Sequence, residues 1–510
     1  MPLCHCNLNH RPSGNKPLVS CKQLRLFVLL LSLVANAITS LVANATSQFD
    51  NIDQVLQEHA QRYDIPALSV VIRQGDKIIY DQTHGQAALS GPDNPIDSHT
   101  PMFIGSVSKP ITASALMLLV AQGKIDLNAP VTDYLRELKF KHGGEGKVKV
   151  KHLLNHTSGL SSLNYKYQAN QRFETSDIIK DLAQVKLATI PGEHFSYSNT
   201  GYHLLGEIIE RVSGQPFDRF VHEALFTPLG MSQSATIASK HVTHSGYSAF
   251  MGFNLKRQEL THNLSEIPAG FILSSAQDLS RFMQFQLTGL DKEGKPLLSQ
   301  SQLAMLRPPL NSQADNGLSW FNYSNGDMSA FGHDGVLANH MAEVIAMPEQ
   351  ELSIVLLANK SGLPLVYFAH PQLIAALKAE LQGKPHAGNG LVTWLILLYP
   401  LLILADVISH IFSTRKYYLK YLVQGNVSQQ STRRDLVGIV ILLVFILALP
   451  YLVQLLLGRG MTYYMLWYMA PDLVVWLGII GLLTLIKLGI LIKGQANRAQ
   501  SVTKGKTQIA

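Results

Sequence analysis

Ser106 and Lys109 stand three residues apart, followed by Pro110 and an apolar run from Ile111 to Val120. Read as the first turn of a buried helix, this spacing puts both side chains on one face, so an amine lies beside a hydroxyl. A serine hydroxyl is a weak nucleophile at neutral pH, and a partly desolvated lysine, which holds its proton less tightly, helps to remove the hydroxyl proton. The helix N-terminus adds N–H groups that favour developing negative charge, and a first-turn proline loses no helical bond. The pairing makes a nucleophile, although on this pattern alone a helix cap beside a solvated lysine is the plainer reading. Ser-x-x-Lys also occurs at Ser13–Lys16, Ser413–Lys416 and Ser501–Lys504. Only Ser106 opens an apolar helix inside a globular stretch; the others are expected in a leader, a basic loop and a polar tail.

The surrounding elements must hold that helix in place. Ile52, Val55, Leu56, Ala60 and Tyr63 fall at helical spacing, and 68–72 with 77–80, joined across Gln74-Gly75-Asp76, read as a hairpin. Helix, strands, then the Ser106 helix suggest an α/β sandwich. Val131–Leu135 is a short segment opened by Pro130. Leu153–Leu160 reads as a short helix ending in a turn, where His156 is expected to hydrogen-bond its own loop. Pro191-Gly192 introduces the polar loop His194–Gly201, which contains Tyr197 and Asn199, before a helix that stops at Ser213-Gly214. Further on come a helix capped near Ser274 or Ser275, a second hairpin over 340–347 and 352–358, and a last helix from Pro371 to Leu381. Tyr323-Ser324-Asn325-Gly326 reads as a hairpin turn, and His142-Gly143-Gly144 as solvated surface.

Composition divides the chain into three. Lys22-Gln23-Leu24-Arg25, an apolar run from Leu26 to Val34 and small-residue exits at Ala35-Asn36-Ala37 and Ala43-Asn44-Ala45 describe a signal peptide over 1–45. All three cysteines, Cys4, Cys6 and Cys21, precede its end, so no thiol chemistry is expected in the mature chain. Residues 46–385 are expected to form the catalytic domain, and 386–510 a membrane region with spans at 391–412, 436–457 and 473–492. Arg415, Lys416, Lys420, Arg433 and Arg434 crowd the first connection, while the second has only Arg459. The positive-inside bias then puts the crowded connection and the tail in the cytoplasm and residues 46–385 outside it. The net charge of +7 belongs to the two ends, because the middle holds 27 basic and 32 acidic residues. This balance gives no basic face for nucleic acid. Asp406 and Lys487 lie at similar expected depth in the first and third spans, which predicts either an ion pair between them or, equally, that both snorkel to the nearby cytoplasmic interface.

Ser106-Val107-Ser108-Lys109, Tyr197-Ser198-Asn199 and Phe331-Gly332-His333-Asp334-Gly335 occur in that order, with Leu153–Leu160 and Pro268–Ser275 between them. Together they resemble the serine beta-lactamase and penicillin-binding-protein-like hydrolases, on the side of class C beta-lactamases, D-aminopeptidases and esterases, over about residues 50–380. The resemblance implies an antiparallel sheet flanked by helices, with an all-helical lobe, followed here by three membrane helices. It implies Ser106 as nucleophile, with Lys109 and Tyr197 moving its proton. Chemistry agrees with these roles, since a lysine cation nearby would favour ionisation of the Tyr197 phenol. The resemblance further places an oxyanion hole at the backbone N–H groups of Ser106 and Val336, beside Gly335, and a substrate contact at Asn199. His333 stands where beta-lactamases and transpeptidases of this family usually carry lysine, which weighs against efficient beta-lactam hydrolysis. No zinc-protease pattern, phosphate-binding glycine loop or paired-cysteine site is present, so neither metal nor cofactor is expected. The expected partners are a small-molecule or peptide substrate and the membrane. The expected activity is hydrolysis of an ester, a D-amino-acid amide or a cell-wall peptide through an acyl-enzyme; a beta-lactamase or penicillin-binding carboxypeptidase and a slowly acylating sensor are the alternatives, and the oligomeric state stays open.

Overall fold

Strand β1 (Ala67–Gln74) is buried along nearly its whole length and apolar over Ala67–Leu68 and Val70–Ile72, the pattern of a strand covered on both faces. In the computed structural model it lies between β2 (Lys77–Gly85) and a strand from the far end of the domain. The residues described are 48–85, 96–161, 175–236, 245–257, 264–308, 316–324, 328–384, 390–425, 427–457 and 462–507. The expected leader over 1–45, the turn at Asn325-Gly326 and most of the linker before the membrane lie outside them.

Short strands β3 (Met102–Phe103) and β4 (Ala235–Thr236) come next, followed by the hairpin β5 (Gly246–Phe250) and β6 (Phe253–Arg257). Then come β7 (Ile272–Ser274), β8 (Phe321–Asn322), β9 (Phe331–Val336), β10 (Met341–Met347), β11 (Leu352–Ala358) and β12 (Lys360–Ser361). Among the described residues the main sheet runs β2-β1-β11-β10-β9-β8, with every neighbouring pair antiparallel. The expected hairpins are β1–β2 and β10–β11. Two smaller sheets, β12-β5-β6 and β3-β7-β4, were not anticipated.

Alternation along β1 divides the core. Leu68, Val70 and Ile72 pack on one face with helices α1 (Gln48–Arg62) and α5 (His370–Leu381). Ala67 and Val71 face the larger core, which contains α2 (Ser108–Ala121), α3 (Asn199–Ser213) and α4 (Ala276–Thr288). Ser275 caps α4 by accepting the Asp278 N–H at 3.1 Å, as expected at that end. Helices α2 and α3, with the short helices 150–154, 175–182 and 217–221, form a helical lobe beside the sheet.

Three long helices follow: α6 (Gly390–Tyr418), α7 (Gln429–Leu457) and α8 (Pro471–Thr507). Counting the helical turns Leu419–Gln424 that continue α6, each holds a stretch long and apolar enough to cross a membrane, at Thr393–Gln424, Gln429–Val453 and Pro471–Ser501. They extend beyond the expected spans, so Ser413–Lys416 lies within α6 and not in a loop. The expected Asp406–Lys487 ion pair does not form. Asp406 instead accepts the Trp476 indole N–H at 2.9 Å, while Lys487 Nζ lies 3.3 Å from His410 Nδ1. The expectation took the two helices to start level; they are staggered, so Asp406 reaches Trp476, eleven residues before Lys487, and Lys487 reaches His410, about one turn past Asp406.

Candidate active site

The site is built on the turn Gly105–Val107, a single 3-10 turn that leads into α2. Gly105 takes φ +52°, a region that costs other residues free energy. A Cβ there would also fall 2.5 Å from the backbone nitrogen of Val336. From the other side, a Cβ on Gly335 would fall 1.9 Å from the Ile104 carbonyl oxygen and 3.0 Å from the Val107 nitrogen. Strand β9 therefore presses on the turn backbone to backbone, and brings the Val336 amide beside Ser106.

Lys109, the second residue of α2, is fully buried. Its Nζ donates to Ser106 Oγ at 3.1 Å and to the Ala269 carbonyl at 2.6 Å. Ala269 belongs to the short helix Ile267–Gly270, which Thr112 Oγ1 ties to α2 by donating to the Pro268 carbonyl at 2.8 Å. The Tyr197 hydroxyl donates to Ser106 Oγ at 2.9 Å, and Lys109 Nζ lies 4.9 Å from the centre of the Tyr197 ring. Ser106, Lys109 and Tyr197 thus form one hydrogen-bonded group, although 91 positions separate the serine from the tyrosine.

His156 holds the tyrosine loop. Its carbonyl accepts the Ser196 N–H at 2.8 Å and its Nδ1 accepts the Ser198 N–H at 3.1 Å, so it grips the chain on both sides of Tyr197. The sequence reading expected His156 to hydrogen-bond the loop around it; these bonds run to the tyrosine loop, about 40 positions on. That reading also missed that the imidazole stacks on the Tyr197 ring, with centroids 4.3 Å apart. Behind the lysine, burial and then the Lys109 charge push the His203 imidazole down to about 3, so it stays neutral there.

Asn199 opens α3, and its Oδ1 is buried with no hydrogen-bond partner among the described residues. His333 lies in β9 with only 1% of its surface exposed. Its Nδ1 is 2.6 Å from the Asp334 carbonyl, which can only accept, so that nitrogen carries the proton. The His333 ring packs 5.0 Å from Phe321, which lies 6.3 Å from Phe195, itself 5.7 Å from His156. This aromatic string joins β9 to the tyrosine loop. Phe195 and Phe321 were not singled out in the sequence; the available signal was Phe195 two positions before Tyr197, the spacing that shares a face in extended chain.

On the opposite face of the sheet, Glu343 of β10 is paired in register with Asp334. Burial, and next the Asp334 charge, raise its carboxyl to about 8 against the opposing pull of Lys378. Among the described residues no cluster of three or more His, Cys, Asp or Glu side chains is placed to hold a metal.

A family model described as Beta-lactamase matches residues 52–378. Protein flp of Staphylococcus aureus (strain N315) is 27% identical over 322 residues, covering 60% of this chain and 62% of that protein. The chain thus spans less than two thirds of that relative's length. Penicillin-binding protein 4 of Amycolatopsis lactamdurans is 28% identical over 295 residues, 55% of this chain and 76% of that one. Among solved structures, D-amino acid amidase from Ochrobactrum anthropi SV3 aligns with a TM-score of 0.58 at 21% identity, over 66% of this chain and 99% of that one. A class C beta-lactamase aligns with a TM-score of 0.56 at 22% identity, over 66% and 97%. The last two likenesses concern the fold.

Proposed function

The chain belongs to the beta-lactamase family, and from that premise we propose that it is a serine hydrolase working through an acyl-enzyme at Ser106. The observation that carries this reading is the contact of Ser106 Oγ with both Lys109 Nζ and the Tyr197 hydroxyl, at 3.1 and 2.9 Å. In the attacking state the Ser106 proton passes to the Tyr197–Lys109 pair as Oγ bonds to the acyl carbon. The pair then returns a proton to the departing alcohol or amine. The N–H groups of Ser106 and Val336 receive the oxyanion, and Asn199 and His333 contact the substrate. Water, activated by the same pair, releases the acid and restores the serine.

The substrate class is an ester, a D-amino-acid amide or a cell-wall peptide. The amide is supported by the shared fold with D-amino acid amidase, and a beta-lactam is disfavoured by the buried imidazole of His333 where a lysine is usual. Residues 46–385 form the catalytic part, outside the cytoplasm, and 386–510 the membrane anchor, with the basic stretch Arg415–Arg434 inside. A second reading, a slowly acylating sensor, draws on one contact: the Met251 N–H donates to Asp472 Oδ2 of α8 at 3.2 Å, a link from the domain to a membrane helix.

The test is the intact mass of the full chain in detergent after exposure to an activated fluorophosphonate, with Ser106→Ala alongside. A single adduct on the wild type alone is expected. An unlabelled, folded wild type would rule out an activated serine. Turnover of a panel of esters and D-amino-acid amides separates the two readings, because a sensor stays acylated and a hydrolase does not.

A further inference from the structure

The hairpin β5–β6 reverses at Met251-Gly252, both at positive φ (51° and 85°), with Phe250 paired to Phe253. Two-residue turns of this form favour Asn-Gly, and a methionine in left-handed backbone costs free energy. The turn is held by the membrane helices. Met251 donates its N–H to Asp472 at the start of α8, and a Cβ on Gly252 would lie 3.9 Å from Pro400 of α6.

Side chains alternate along β6. Asn254 turns toward the domain, where its Nδ2 donates to the backbone carbonyl of Asp64 at 3.0 Å and to its Oδ2 at 2.6 Å. Phe253 and Leu255 therefore point the other way, 74% and 40% exposed. A second exposed pair, Tyr367 and Phe368, sits in the helical turn Leu365–Ala369, which packs against α6. At the same end of the membrane region Trp394 of α6 and Trp467, just before α8, are also exposed. Tryptophan and tyrosine gather where a bilayer meets water, since each ring has an apolar body and a polar edge.

We propose that Phe253 and Leu255, with Tyr367 and Phe368, enter the lipid interface, so that the β5–β6 hairpin rests on the bilayer surface beside α6 and α8. The occupant is lipid because the hairpin turn is bonded to α8 and lies beside Pro400 of α6, and the turn carrying Tyr367 and Phe368 packs on α6, so these exposed apolar side chains adjoin helices long and apolar enough to cross a membrane. The other end of the hairpin reaches the catalytic centre: Gly246 packs on Asn339 and His340, and Ser248 Oγ donates to the Ala338 carbonyl, in the loop that follows Val336. Five residues of strand span about 14 Å, so the hairpin acts as a strut of that length between the lipid and this loop.

The experiment uses the full chain with Cys4, Cys6 and Cys21 replaced by serine and a single nitroxide-labelled cysteine introduced as Phe253→Cys, Leu255→Cys, Trp394→Cys or Met305→Cys. Met305 is exposed on the helix Gln300–Leu306, which packs on α2 and α4. In phosphatidylcholine–phosphatidylglycerol vesicles, collisions with oxygen and with a water-soluble nickel chelate are compared. The labels at 253 and 255 are expected to show an oxygen-to-nickel ratio several-fold above that at 305, resembling 394. A ratio at 253 equal to that at 305 places the face in water and overturns the proposal. Protection from both reagents places it against protein, a second copy or another part of this chain, and overturns it equally. Neither outcome depends on whether Ser106 is acylated.

Discussion

Replacing Gly335 by alanine tests how the nucleophile is positioned. The added methyl would fall 1.9 Å from the Ile104 carbonyl oxygen, whereas real Cβ contacts essentially never close below 3.0 Å. Strand and turn must therefore separate by about 1 Å, since both atoms belong to backbone and no side chain can swing away. Overpacking of this kind costs about 1–3 kcal/mol of stability, which leaves a folded protein. The catalytic effect is larger, because a displacement of about 1 Å moves the Val336 amide from the acyl oxygen and the turn from its partners. Misplacement on that scale slows reaction by about 100-fold, and complete loss of one oxyanion donor by about 100- to 1,000-fold. The assay is the second-order rate of fluorophosphonate labelling for Gly335→Ala and wild type, with thermal unfolding as the control for folding. A variant that melts within a few degrees of wild type and labels at the wild-type rate would refute the idea that this backbone contact sets the site.

Lys109→Met should lower the labelling rate by about 100- to 10,000-fold, the range for losing a positioned proton-transfer group. Because methionine fills the buried space, circular dichroism should still report a folded chain; labelling at the wild-type rate would remove Lys109 from the mechanism. Glu343 predicts a pH effect of known sign. Its folded-state carboxyl is raised from 4.5 to about 8, so the stability it allows is fully present below about pH 4.5 and lost as pH rises toward 8 and beyond, on the order of 5 kcal/mol at the upper limit. The stability of wild type relative to Glu343→Gln, measured by urea unfolding, should fall across that window, and a constant difference would contradict the burial argument. In the membrane region, Asp406→Leu and Trp476→Phe should each destabilise the full chain in detergent, while the double variant costs less than their sum by about 0.6–2 kcal/mol. Strict additivity would mean that the indole–carboxylate bond contributes nothing.

The parts of the site legible in the sequence were those fixed by local geometry. Ser106 and Lys109 meet because helical residues three apart share a face, and the α3 and α4 boundaries were marked by Gly214 and Ser275. Tyr197 and Gly335 were visible as motif members, but their placement depends on distant chain. No local pattern could say that Gly335 would touch Ile104, or that His156 would stack on a tyrosine 41 positions away, since each contact exists only once two elements dock. The β5–β6 hairpin was missed for a different reason. Its turn carries Met251 where Asn would have announced the reversal, and its outward side chains follow a membrane boundary instead of a water-facing strand pattern. The Asp406–Lys487 expectation failed on helix stagger, which hydropathy does not encode.

The central position of β1 has a consequence for the order in which the domain can assemble. Leu68 pairs with Ala358 and Gln74 with Leu352, so a strand made among the first is completed by one made among the last. Until the second arrives, β1 and β2 are an isolated hairpin with one open apolar edge, marginal by itself and prone to pair with other chains. Closing so long a loop is slow, and it cannot begin before the hydrolase portion is nearly all synthesised. The first helix long and apolar enough to cross a membrane follows closely, from Gly390. Sheet closure and the emergence of that apolar helix therefore fall within the same short interval of synthesis, and a chain truncated before Leu352 would leave that edge permanently open.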